Sequence, residues 1–365
     1  MFEKISWWNL ALENTEREAL LSAFDNRQLS YGKISKKLEE RLAEYLNVKH
    51  VMLTTSGSTA LLVALKSIGV GPGDEVIIPN RTFQATANAV CMLNATPVVV
   101  DVTAVRGLMD LEQVKQKLSN KTKVIIPVHL NGRAVEMDML MKIAKNANIK
   151  IIEDAAQSFA SKFNNQFLGT FGDIGCFSMG ATKFLATGQG GFVVTNNSNL
   201  YEEMKLYLIH AAGDQDQKRF DKLGFNFRLP DLISSIGLSQ MNNVSIKYNK
   251  FSSVFNYYRS KLEQFEFIKL IDCYEIGELP IWVDCLTSYR DELYNFLRDN
   301  KVETLQYYPS ISDSKFLNLN SSEFKNSEKF SRYGLVLPSG PDIKQVEIDH
   351  VISLLKQFSH LKGIK

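Results

Sequence analysis

Lys183 stands among small residues. Gly172-Asp173-Ile174-Gly175-Cys176-Phe177-Ser178 and Met179-Gly180-Ala181-Thr182 precede it, and Gly188, Gly190 and Gly191 follow. A lysine on a solvated helix face does no chemistry. One held in a cramped, partly desolvated loop loses its proton more readily and becomes a nucleophile able to form a Schiff base. Asp154 is the second candidate. It leaves the apolar run Ile151-Ile152. A carboxylate there either caps the next helix or pairs with a protonated ring nitrogen of a bound cofactor.

Other segments offer groups for binding. Thr54-Thr55-Ser56-Gly57-Ser58-Thr59 passes from a strand-like run into a helix-like one. The free N–H groups of Gly57, Ser58 and Thr59 at such a start form an anion site, and the same residue types also serve as a plain helix cap. No Gly-Lys-Ser/Thr follows, so this is not a Walker loop. Phe83 follows a strand end, where an aromatic either stacks on a flat ring or fills the core. His129 also follows a strand end and is a candidate for substrate contact. In Gly224-Phe225-Asn226-Phe227-Arg228, Asn226 and Arg228 alternate with aromatics and point to one side, where Arg228 clamps an anion or simply meets solvent. No histidine has a second one at ligand spacing, which argues against a metal.

These residues need elements to place them. Short runs rich in Val, Ile and Leu predict strands at His50–Thr54, Glu75–Pro79, Thr96–Val100, Lys123–Val128, Ile149–Glu153 and Gly191–Thr195. Such continuity is that of strands buried on both faces. Between them the spacing predicts helices over Thr59–Ile68, Thr86–Leu93, Leu111–Leu118 and Asp138–Ala147. Two amphipathic helices, Glu13–Asp25 and Lys33–Leu46, come first. Strand and helix in alternation predict an α/β fold with a mainly parallel sheet flanked by helices. Ligands of such sheets sit beyond the carboxyl ends of the strands, where the residues above fall. Leu232–Leu262 reads as one long helical stretch. Beyond it the pattern loosens into Ile281–Val283, Tyr289–Asn300 and Gln345–Gln357, a smaller C-terminal α+β domain. The expected division is 1–240 and 241–365.

Composition narrows the partners. The 365 residues carry 42 basic and 40 acidic groups, a net charge of +2. No basic block marks a nucleic-acid or membrane surface. No apolar run reaches the length of a membrane span, and the first residues lack signal-peptide features. The four cysteines, 91, 176, 273 and 285, lie far apart. They read as reduced thiols of a cytoplasmic protein.

The order of the motifs adds a resemblance. Thr55–Leu61, Thr82–Ala89, His129-Leu130-Asn131-Gly132, Glu153–Ser158, Gly172–Lys183 and Gly224–Arg228 together resemble the DegT/DnrJ/EryC1/StrS family of sugar aminotransferases. That resemblance implies a fold-type I enzyme dependent on pyridoxal 5'-phosphate (PLP). It implies Lys183 as the Schiff-base lysine and Asp154 as the partner of the pyridine nitrogen. Gln157 would lie near the ring hydroxyl and Phe83 on the ring face. Gly57, Ser58 and Ser178 would surround the phosphate, joined by Asn226 from a neighbouring subunit, so a homodimer with shared sites is implied. The implied reaction moves an amino group from glutamate or glutamine to a keto group of a nucleotide-linked deoxy sugar, as in surface polysaccharide synthesis. A lysine rather than histidine at 183 favours this over sugar dehydration. The chain departs from the family at Gln189, at Met179-Gly180-Ala181 and in its C-terminal third. Those departures keep a smaller phosphorylated ketone open as the acceptor. A non-catalytic PLP- or nucleotide-binding protein is the reading from another class.

Overall fold

The computed structural model describes residues 4–10, 12–210, 223–273 and 276–364. Five strands rich in β-branched residues appear first: β1 (His50–Thr54), β2 (Glu75–Pro79), β3 (Thr96–Val100), β4 (Thr122–Ile125) and β5 (Lys150–Asp154). A short hairpin, β6 (Lys162–Phe163) and β7 (Gln166–Phe167), precedes β8 (Ile174–Ser178) and β9 (Gly191–Thr195). Apart from the hairpin, these strands form one seven-stranded sheet in the order β1-β9-β8-β5-β4-β2-β3. All its neighbours pair in parallel except those of β9, which runs antiparallel to both β1 and β8.

Helices cover the sheet. α1 (Asn14–Asp25) and α2 (Lys33–Leu46) lead, then α3 (Gly57–Ser67), α4 (Ala85–Cys91), α5 (Leu111–Lys117), α6 (Met137–Ala147) and α7 (Ser198–Leu208). Leu38, Leu42 and Leu46 bury one stripe of α2 at 2% exposure or less. Each buried leucine contributes about 2 kcal/mol. The start of α2 is capped from afar: the Asp231 carboxylate accepts the N–H groups of Gly32 and Ser35, each at 2.8 Å.

Two differences from the sequence reading have physical causes. The expected stretch Leu232–Leu262 is two helices, α8 (Asp231–Met241) and α9 (Val244–Leu262), parted at Asn242-Asn243. The run Gly172–Ser178, read as a loop for its glycines, contains β8. Gly175 serves packing there, because a Cβ on it would lie 1.9 Å from the Gly169 carbonyl oxygen.

The remainder builds a second, antiparallel sheet, β10-β11-β13-β12. Its strands are β10 (Ile268–Leu270), β11 (Val283–Thr287), β12 (Leu305–Gln306) and β13 (Gly334–Leu337). With it go α10 (Arg290–Asp299), α11 (Lys325–Tyr333) and α12 (Gln345–Lys362). The N-terminal residues join this part, since Ile5 bridges to Val302 and Trp8 to Ser339. No helix among the described residues is long and apolar enough to cross a membrane.

Candidate active site

The site lies where β1, β5 and β8 end. At the end of β1, Ser56 caps α3: its hydroxyl accepts the Thr59 N–H at 3.1 Å, and the Thr59 hydroxyl accepts the Ser56 N–H at 2.9 Å. The same Thr59 hydroxyl donates to the Ser56 carbonyl at 2.8 Å. The cap thus engages the Thr59 hydroxyl as both acceptor and donor, at the helix start that also carries Gly57 and Ser58. The N–H groups of Gly57 and Ser58 have no partner within the helix by virtue of their position. Gly57 packs so closely on β8 that a Cβ would stand 2.9 Å from that of Ser178. Gly57, Ser58 and Ser178 therefore share one corner.

Asp154 ends β5 and is 6% exposed. The Thr86 hydroxyl donates to its Oδ2 at 2.8 Å, and the Ala156 N–H to its Oδ1 at 3.2 Å. Burial pushes the carboxyl above its ordinary range, although those two bonds and the charges of Lys183 and His129 pull the other way. Asp154 forms no salt bridge among the described residues. It is a buried carboxylate short of a cation.

Lys183 sits on the turn from β8 back to β9. Gly190 makes that reversal possible with φ +149°, and its carbonyl accepts the Met179 N–H at 2.8 Å. The lysine is half-buried. Burial brings its pKa down to about 8, against the pull of Asp154. Its ammonium lies over the Trp282 ring, 5.2 Å from the centroid.

Gln157 and Phe83 frame the same space. Gln157 is buried, and its Oε1 accepts the Asn131 N–H at 2.9 Å. The Phe83 ring is 58% exposed and meets Tyr308 edge-on at 5.8 Å. Burial pushes the Tyr308 hydroxyl up to about 12, with Asp154 among the charges acting on it. Tyr308 and Trp282 come from the C-terminal part and escaped the sequence reading. Their only signal was the short segment Tyr307-Tyr308-Pro309 and one aromatic beside an apolar run.

Other expected residues fall differently. His129 is fully buried, with Nε2 2.9 Å from Glu153 Oε2 and Nδ1 accepting the Val135 N–H at 3.3 Å. Both ring nitrogens are engaged by groups of the fold. Asn226 and Arg228 bond to each other, Nε to Oδ1 at 3.1 Å, and not to Lys183 or Asp154. Their segment does run beside α3, because the Phe227 carbonyl accepts the Thr55 N–H at 2.9 Å. Among the described residues no group of three or more His, Cys, Asp or Glu is placed to hold a metal ion.

The residues fit PLP. A protonated ring nitrogen would supply the cation that Asp154 lacks. The open face of Phe83 offers a stacking surface, and the corner at Gly57 offers N–H donors to a phosphate. A lysine at 183 with a pKa near 8 is poised for carbonyl chemistry.

Fold and site together define an α/β aminotransferase. The sequence profile of the DegT/DnrJ/EryC1/StrS aminotransferase family matches residues 11–356, and the chain belongs to that family. It is 30% identical to the GDP-perosamine synthase of Caulobacter vibrioides over 357 residues, 95% of this chain and 96% of the relative. It is 32% identical to a pleiotropic regulatory protein of Geobacillus stearothermophilus, over 90% of each chain. The crystal structure of S. venezuelae DesV, in complex with a ketimine intermediate, superposes with a TM-score of 0.93 at 26% identity, covering 98% of this chain and 99% of that one.

Proposed function

We propose that this chain is a PLP-dependent aminotransferase that moves an amino group from glutamate or glutamine to the keto group of a nucleotide-linked deoxy sugar. The observation that carries this reading is the pair Lys183 and Asp154, a lysine brought down to about 8 beside a buried carboxylate without a cation. When bound, PLP supplies an electron sink that lets a proton leave the donor's α-carbon.

The chain's own residues do the rest. Asp154 would hold the ring nitrogen protonated. Gln157 would lie near the ring hydroxyl, and Phe83 would cover one ring face. The N–H groups of Gly57 and Ser58, with the Ser178 hydroxyl, would hold the phosphate. Lys183 Nζ would take the proton from the donor's α-carbon as base and give it up again as acid. Holding these groups on strand ends keeps them oriented before substrate arrives.

Asn226 would complete the phosphate site of the partner subunit, and Arg228 would meet an anionic group of the substrate. Exposed apolar side chains beside them, Met92, Leu223 and Phe225 at 70%, 83% and 63% exposure, support a homodimer that covers this face. The four unpaired cysteines support a cytoplasmic setting. The similarity to a GDP-perosamine synthase supports a nucleotide-linked acceptor. The name of the Geobacillus relative favours a second, regulatory reading. Lys183 argues against it, since a regulator without turnover has no use for a reactive lysine.

An absorbance spectrum of the protein with added PLP tests the proposal. We expect a visible band that is absent from Lys183→Ala and bleaches when glutamate is added. A band unchanged by glutamate would remove the aminotransferase reading. No band in either protein would remove PLP.

A further inference from the structure

The chain has three tryptophans, at 7, 8 and 282. All three gather at the turn that carries Lys183. Trp282 presents its ring face to the lysine ammonium, 5.2 Å from the centroid. Trp7 meets Trp282 at 6.5 Å with an interplanar angle of 63°. Trp8 donates its indole N–H to the Ala181 carbonyl at 3.2 Å and stacks on Phe251 at 6.0 Å. Phe251 in turn touches Phe184, the residue after the lysine, at 5.4 Å.

Trp282 is held firmly. The Asn131 side chain accepts the N–H groups of Ile281 and Trp282 at 3.0 and 2.9 Å and donates to the Trp282 carbonyl at 2.9 Å. The ring is 6% exposed. Its position is therefore set by Asn131, in the segment between β4 and α6, and by the N-terminal segment together. That segment is fixed in turn, since the Trp7 carbonyl accepts the Ser339 N–H at 2.9 Å and Asn9 N–H donates back to Ser339 at 3.0 Å.

We propose that Trp282 is a positioning residue for Lys183, a wall that confines the ammonium and keeps water from it, braced by Asn131 and Trp7 while Trp8 anchors the turn. The inference rests on the reading of Lys183 as the reacting group. A lysine side chain has four rotatable bonds, so a nucleophilic one needs confinement as well as desolvation. The wall supplies both on one side. Asp154 is the charged group that acts on Lys183. The two influences of an aromatic wall oppose each other. Its π face favours the charged amine, and its bulk excludes water and disfavours it. Desolvation prevails, because Lys183 lies near 8 rather than above its ordinary value.

The test titrates cofactor-free protein. Lys183 is labelled with acetic anhydride across a pH series, and its modification is read by mass spectrometry. We expect a midpoint near 8 in the wild type. Trp282→Phe should stay close to it, and Trp282→Ala should move it up by about one unit as water enters. An unmoved midpoint in folded Trp282→Ala overturns the proposal. A second measurement does not depend on that variant folding. In a Trp7→Phe, Trp8→Phe background, Trp282 is the sole tryptophan, excited selectively at the red edge of the absorption band. Its fluorescence should step at the Lys183 midpoint and lose the step in Lys183→Met; a flat response also overturns the proposal. Neither measurement uses PLP, so failure here leaves the cofactor reading intact, and loss of the cofactor reading leaves these titrations valid.

Discussion

The Asn131 side-chain amide brackets the Trp282 peptide, accepting its N–H and donating to its carbonyl, both at 2.9 Å. Its second amide proton goes to Asp284 Oδ1 at 2.9 Å, and its backbone N–H goes to Gln157. One buried asparagine thus ties Gln157 to the C-terminal sheet. Gly132 beside it has φ +76°, and a Cβ there would strike the Leu279 carbonyl oxygen at 2.0 Å.

Asn131→Ala leaves several buried groups without partners. Each such group costs about 1–3 kcal/mol. We expect a loss of about 3–5 kcal/mol in urea unfolding. A loss near zero would mean that water replaces the amide.

Asp154 must be ionised to hold a ring nitrogen. Its burial works against that, and the Thr86 hydroxyl is the foremost group easing it. Thr86→Val should therefore raise the Asp154 pKa further and move the acid limb of the pH–activity profile to higher pH. At neutral pH the loss should be about tenfold. Asp154→Asn, which cannot ionise, should lose about 10²–10³-fold. An acid limb unmoved by Thr86→Val would assign that limb to another group.

Lys247 is a second buried amine. Its ammonium donates to the Phe184 carbonyl at 3.1 Å and to Gln240 Oε1 at 2.8 Å, and burial brings it to about 8. The unfolded lysine titrates near about 10.4. Between the two values the unfolded chain holds a proton that the folded chain has released. Stability should therefore rise with pH across that window and fall as pH drops through 8. Lys183 contributes the same slope. Melting temperatures across the window should show a shallower rise in Lys247→Met. An equal slope would place the titration elsewhere.

Asp284 is a buried residue of β11 in the second sheet, and Arg133 donates to it through Nη1 at 3.0 Å and Nη2 at 2.5 Å. Burial alone would raise its pKa, but the Arg133 charge outweighs that and holds the carboxyl below its ordinary value. Its contribution is present above about pH 4 and is lost as pH falls through the folded value. Asp284→Ala strands the guanidinium and should cost about 3–5 kcal/mol at neutral pH. Adding Arg133→Met to that variant should recover part of the loss. No recovery would show that the two side chains are not coupled.

Much of this site was legible along the chain. Lys183 and Asp154 stand in local contexts that signal them, small residues around one and a strand end before the other. Strands buried on both faces wrote themselves as unbroken Val and Ile runs, so β1, β2, β3 and β9 fall where the pattern put them. The glycines of β8 misled, because glycine answers to close backbone approach as readily as to a loop. The partners of His129 were hidden for a different reason. Its engagement by Glu153 and Val135 is a matter of neighbours brought in by the sheet. Trp282, Tyr308 and Asp284 were illegible because their partners lie far away in sequence, and no spacing rule reports a contact of that kind.

The reversed strand β9 has a consequence for how the molecule is made. β1 ends at Thr54, and the strand it pairs with begins only at Gly191. The ribosome adds about 5–20 residues per second, so β1 waits on the order of ten seconds after its synthesis for a partner. Until then its edge is open, and the start of α3 lacks the Ser178 corner against which Gly57 packs. The corner at Gly57 therefore closes only after about half of the chain has been made. A ribosome stalled before residue 191 would hold a chain in which β1 and β8 both lack the strand that pairs with each of them.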